Sequence, residues 1–129
     1  MRPFVCVLDA SALLAVLNQE AGADQVVPLL DRAAMSAVNW SETVQKAASL
    51  GVATQGLRSE VEALGVTIVP FDSRQAEEAA TLWPRTASAG LSLGDRACLA
   101  LAHREGVPAG TADHAWSAVS VDVNVHVIR

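Results

Sequence analysis

Residues 3–9, PFVCVLD, form an almost unbroken apolar run, rich in β-branched residues, that stops at an acid. Hydrophobicity this continuous over so few positions predicts a strand buried on both faces. The period then changes. In ASALLAVLN (10–18), Leu13, Leu14 and Leu17 fall at i, i+1 and i+4, which predicts a helix. Residues 23–33 predict a second helix, with a kink at Pro28 or a start nearer to it. AAMSAV (33–38) predicts a strand. NWSETVQKAASLG (39–51) carries helix signals at both ends: Asn39 as N-cap, Glu42 at the third helical position and Gly51 as terminator. A short helix at 57–65 and a strand at 66–72 follow, then a helix capped by Asp72 or Ser73 that runs to about Ala87 and bends near Pro84. Ser92 caps LGDRACLALAHRE, which Gly106 ends. VPAGT (107–111) predicts a short strand, 112–119 a helical turn or two, and 123–129 a last strand.

Strands that alternate with helices imply right-handed crossovers and an α/β fold. The expectation is a mostly parallel central sheet of four to five short strands with helices on both faces, in three α/β/α layers. The length of 129 residues suits one domain over 1–129, and no repeat or linker-like stretch divides it. The opening MRPFVCVLDASALLAVLN imitates a signal peptide, but Asp9 interrupts the apolar run, so strand followed by helix is the better reading. No run approaches the ~20 apolar residues of a membrane span, so no membrane partner is expected. Cys6 and Cys98 lie in apolar surroundings without metal-ligand spacing. They read as buried thiols of a reducing cytoplasm, with a single disulfide as the alternative. The net charge is −5 and Lys46 is the only lysine, which argues against a chain coated in basic charge.

In an open α/β sheet, ligands sit outside the carboxyl ends of the strands. Four acids fall there. Asp9 closes the first strand, Glu42 and Asp95 open helices, and Asp113 follows VPAGT. Taken singly, Glu42, Asp95 and Asp113 read as caps or turn residues. Asp9 does not, because an acid ending a buried strand is costly unless it is paired or bound to a cation. Together the four would repel one another, and the nine basic residues offer no obvious local answer at Asp9, Glu42 or Asp113. All-oxygen ligation suits Mg²⁺ or Mn²⁺. One or two such ions can drive phosphodiester hydrolysis. LSLGDRACLALA then makes sense as a buried helix whose first turn opens at the site, with Gly94 allowing close backbone approach.

VLDASALLAVL, VNWSETVQK, GLSLGDRACLALA, TADHAW and the closing VNVHVIR are spaced along the whole chain. In these motifs the sequence resembles the PIN-domain ribonucleases, and among them the VapC-like toxins of toxin–antitoxin pairs. The resemblance implies a single PIN-like domain that acts as a metal-dependent endoribonuclease on RNA, silenced by a small cognate antitoxin and paired as a homodimer in the cytoplasm. Asp9, Glu42, Asp95 and Asp113 match the family's acidic quartet. Asp9, Asp95 and Asp113 would hold the metal, and Glu42 would hold a second ion or orient the attacking water. Ser11 and Thr111 match hydroxyl positions beside the site. Arg96, next to Asp95, is expected to bind a phosphate or brace a carboxylate. Leu13, Leu14, Leu17 and Leu30 are expected to contribute to an antitoxin groove. Gly110 stands where a larger residue is common and is expected to loosen the strand before Asp113. Scarce lysine leaves RNA contact to Arg74, Arg85, Arg96 and Arg104. Trp40 and Trp116 are expected to pack into the core rather than stack on bases.

Two rivals differ in class. A catalytically silent domain of the same shape would only bind RNA or a small protein, and needs no four acids. A receiver or phosphatase would use Asp9 as phosphate acceptor, but it wants a second acid near Asp9 and a lysine at the site. Ser11 stands where that acid would be, and Lys46 reads as the intrahelical partner of Glu42.

Overall fold

The computed structural model describes residues 3–129. Five parallel strands form one sheet in the order β3-β2-β1-β4-β5, with β1 Cys6–Leu8, β2 Ala33–Ser36, β3 Thr67–Val69, β4 Ala109–Thr111 and β5 Val125–Val127. Seven helices are interleaved: α1 Ala10–Leu17, α2 Ala23–Val26, α3 Ala37–Ser49, α4 Leu57–Ala63, α5 Ser73–Thr81, α6 Trp83–Thr86 and α7 Leu93–Glu105.

Strand alternation splits the core in two. Cys6, Leu8, Ala33 and Met35 face a cluster with Leu13 and Ala15 of α1, Ala47 of α3 and Val61 of α4. Val7 and Ala34 face the other way, toward Ala79 of α5, the stretch Cys98–Ala102 of α7, and Trp116. This is the period of two that a sheet covered on both faces requires. Both thiols are free and buried. Burial pushes the Cys6 thiol up to about 11.

The strand order places the site. From β1 the sheet grows through β2 and β3 in one direction and through β4 and β5 in the other. The switch point therefore lies between the carboxyl ends of β1 and β4, which are followed at once by Asp9 and by Ala112-Asp113. Gly110 does not loosen β4. The strand is buried throughout and pairs on both sides, and a Cβ at Gly110 would meet Leu8 Cδ2 at 3.2 Å.

Several boundaries differ from the sequence reading. β2 ends at Ser36, whose hydroxyl accepts from the Val38 N–H and caps α3 three residues earlier than expected. Asn39 is consequently a buried helical residue rather than a cap, and Glu42 lies in the second turn. Residues 27–32 tighten into a 3-10 helix around Pro28. The helix expected over 73–87 is broken rather than bent. α5 stops at Thr81 and α6 restarts with Pro84 in its first turn, because proline has no N–H to give and its ring clashes with the preceding turn. Leu13 and Leu30 are core residues and cannot line a groove. Leu14 and Leu17 stay half-buried.

Candidate active site

The deepest acid is Asp9, 5 % exposed. It ends β1 and also caps α1. Its Oδ1 accepts from the Ala12 N–H at 2.9 Å and the Ser11 hydroxyl at 2.7 Å, and its Oδ2 accepts from the Thr111 hydroxyl at 2.6 Å. The same two hydroxyls accept in turn. Ser11 Oγ takes the Ala112 N–H at 2.9 Å, and Thr111 Oγ1 takes the Asp113 N–H at 3.0 Å. Each hydroxyl has one proton and gives it to Asp9, so their 3.4 Å mutual approach is proximity alone. The network ties the end of β4 to the start of α1 through a single carboxylate.

Burial pushes the Asp9 carboxyl up to about 6, and the neighbouring charge of Asp95 adds to the rise. The hydrogen bonds from Thr111, Ala12 and Ser11 pull the other way. Asp95 is the third residue of α7 and completes a capping box. The Ser92 hydroxyl accepts from the Asp95 N–H at 3.2 Å, and Asp95 Oδ2 accepts from the Ser92 N–H at 2.8 Å. Asp113 caps a short 3-10 turn through the Ala115 N–H at 2.9 Å. Both acids therefore are caps, and both also face the cleft.

Glu42 is held from within its own helix. The buried Asn39 amide donates to Glu42 Oε1 at 3.0 Å and to the Gly94 carbonyl at 2.9 Å, bridging α3 to the start of α7. A Cβ on Gly94 would stand 2.5–2.6 Å from the Glu42 carboxylate, so a glycine is what lets the two helices meet there.

Asp9, Glu42, Asp95 and Asp113 line one cleft of about 550 Å³, together with Ala10, Ser11, Leu14, Gln45, Lys46 and Ser49. Burial holds the Cys98 thiol beneath it well above its ordinary range, and the charges of Asp9, Asp95 and Glu42 all add to the rise. Among the described residues none of the four acids makes an ion pair, and no three His, Cys, Asp or Glu side chains stand close enough, as placed, to hold an ion.

The PIN domain profile matches residues 6–122. The chain belongs to the PIN domain family. No curated protein matches it by sequence. Among solved structures this PIN domain is similar to a chain of a toxin–antitoxin complex from Klebsiella pneumoniae, at 18% identity and TM-score 0.71, over 96% of this chain and 98% of that one. It is similar to VapC20 of Mycobacterium tuberculosis, described as a sarcin-ricin loop cleaving toxin, at 16% identity and TM-score 0.69, over 92% and 98%. VapBC-5 of the same organism, a member of the VapBC family of toxin–antitoxin systems, matches at 25% identity and TM-score 0.57, over 98% and 99%. The fold is that of VapC-type PIN domains.

The structure brings the four acids, Ser11 and Thr111 of this PIN domain together, but not Arg96. That side chain turns to α5, where a terminal guanidinium nitrogen donates to the Ala79 carbonyl at 3.0 Å. The other arginines expected near RNA also lie outside the cleft. Arg85 approaches Asp122 at 4.0 Å, Arg104 pairs with Glu105 at 3.1 Å, and Arg74 is an exposed residue of α5. Trp116 is fully buried and Trp40 packs against the core. Sequence reasoning missed Asn39 as the residue holding Glu42, and Lys46 as the cation of the cleft. The signal was present: Glu42, Gln45, Lys46 and Ser49 fall at i, i+3, i+4 and i+7, a polar stripe along one face of α3.

Proposed function

We propose that this PIN domain is a metal-dependent endoribonuclease, the toxin of a toxin–antitoxin pair, working in the cytoplasm on RNA. The observation that carries the reading is the convergence of four carboxylates from different parts of the chain on one cleft at the switch point, with no protein cation paired to any of them among the described residues. The donor set is all oxygen and the buried Asp9 is uncompensated, which fits one or two Mg²⁺ or Mn²⁺ ions. Exposed Glu42 and Asp113 have the freedom to close on an ion by side-chain rotation.

A bound divalent ion would polarise the phosphate and lower the pKa of water at the site. The chain's own residues do the rest. Ser11, Thr111 and the Ala12 N–H fix the Asp9 carboxylate in place, so that it is preorganised rather than ordered at the moment of reaction. Asp95 spends Oδ2 on the helix cap and keeps Oδ1 for ligation, and Asp113 lines the same cleft. Asn39 holds Glu42 Oε1, leaving Oε2 to bind a second ion or to accept a proton from the attacking water. No serine, cysteine or histidine nucleophile is needed. The toxin–antitoxin names of similar structures support a small antitoxin as partner, and homodimer formation is part of the same proposal.

The test is cleavage of total cellular RNA by the purified chain in Mn²⁺. Asp95→Asn is expected to lower the rate by about 10²-fold or more. Wild-type cleavage by that variant, or undiminished cleavage in chelator, would reject the reading. Metal binding without cleavage by the wild type would leave a silent binding domain instead.

A further inference from the structure

The cleft is lined by groups of opposite charge. The four acids share it with the polar stripe of α3, on which Lys46 lies one helical turn beyond Glu42. A glutamate followed four residues later by lysine is the favoured order for an intrahelical ion pair. Lys46 nevertheless makes no ion pair among the described residues. Glu42 is instead oriented by Asn39, which donates to its Oε1 on the side of Gly94. Ser49 is also committed, its hydroxyl donating to the Lys46 carbonyl at 2.7 Å. Lys46, the only lysine of the chain, is an exposed ammonium on the wall of an acidic cleft, and among the described residues no arginine lines that cleft.

We propose that Lys46, with the Gln45 amide beside it, is a phosphate subsite that holds the RNA backbone next to the phosphodiester being cut. This rests on the endoribonuclease reading above and adds the way the substrate strand is gripped. A chain of net charge −5 must overcome repulsion to admit a polyanion. Metal at the acids can answer for the scissile phosphate only. The phosphate on its flank needs a cation of its own, and the rise along α3 from Glu42 to Lys46 is about 6 Å, a single nucleotide step rather than several. A flexible ammonium suits this role because it meets a backbone phosphate as a point charge and reads no base.

The experiment is steady-state cleavage of a fluorophore–quencher RNA strand of mixed sequence in Mn²⁺, over a series of KCl concentrations, with wild type, Lys46→Gln and Lys46→Arg. Lys46 is exposed, so neither substitution touches the core. Lys46→Gln is expected to raise KM roughly tenfold at low salt, with kcat within about twofold of wild type. It should also flatten the dependence of log kcat/KM on log salt by about 0.7, the value for one phosphate contact on a single strand. Lys46→Arg should restore both. An unchanged KM and salt slope in Lys46→Gln overturns the subsite, and so does a loss confined to kcat, which would mean that Lys46 acts on Glu42 instead. Wild-type protein that leaves the RNA intact removes the endoribonuclease reading itself, and the subsite with it.

Discussion

The two sides of the acidic cleft are built on different principles. At the β1–β4 corner, Asp9 is buried and held by three hydrogen bonds, two of them from hydroxyls that also fasten the β4 end. On the α3 wall, Glu42 is exposed and held by one amide, and its neighbour Lys46 makes no ion pair among the described residues. The corner is made of strand ends and short caps that cannot move without unravelling the sheet. The wall is a helix face whose exposed residues, Glu42 and Lys46 among them, can change without disturbing the core. The comparison separates what must be rigid, the grip on a cation, from what can be tuned, the approach of water and substrate.

Substitution on each side should expose this difference. Thr111→Val removes the shortest bond to Asp9 while keeping the shape of the buried side chain, and RNA cleavage should fall by about 10- to 100-fold, the usual cost of losing a residue that orients a metal ligand. Asn39→Ala, behind the wall, should cost about 10-fold or less, because Glu42 loses its orientation and α3 its bond to the Gly94 carbonyl, while the hydrogen bonds on Asp9, Asp95 and Asp113 stay. Rates measured side by side check the order. A larger loss from Asn39→Ala than from Thr111→Val would reverse the assignment of the two sides.

The corner should also be visible in stability without any substrate. In chelator, the Asp9 carboxyl titrates near 6 in the folded chain and near its ordinary 3.8 when unfolded. Between these values the folded state binds the extra proton, so stability falls as pH rises from about 4 to about 6 and then levels off. The contribution of this one group is about 3 kcal/mol at most. Denaturant unfolding at several pH values in chelator, wild type against Asp9→Asn, isolates it. The variant should lack this descent and be the more stable of the two at neutral pH. A parallel pH dependence in both proteins would mean that Asp9 is not the strained group.

Much of this was legible in the sequence because the hydrophobic pattern and the acid placement agree. The run ending at Asp9 read better as a buried strand than as a signal segment, and Ser92-x-x-Asp95 announced its capping box. What stayed hidden had specific causes. Ala37 and Val38 continue the apolar run of β2, so nothing in the pattern marks the turn at Ser36, and Asn39 passed for a cap when it is a buried bridge. Arg96 adjoins Asp95 in sequence, yet successive helical residues point about 100° apart, which sends its side chain to α5. The family resemblance places Leu13 and Leu30 at an antitoxin groove, whereas both are buried in the same core cluster. Lys46 reads as the partner of Glu42 by helical spacing, but it makes no ion pair among the described residues, and Glu42 is held by Asn39 instead.

The central claim, that the acids are gathered to grip a divalent cation, is tested most directly by thermal melting at neutral pH in chelator and in excess Mn²⁺. Wild type should melt several degrees higher with the metal, since an ion held only by the folded chain stabilises it by about 3 kcal/mol at a hundredfold excess over Kd. Asp95→Asn should lose most of that gain. Identical melting of the wild type with and without Mn²⁺ would contradict the claim.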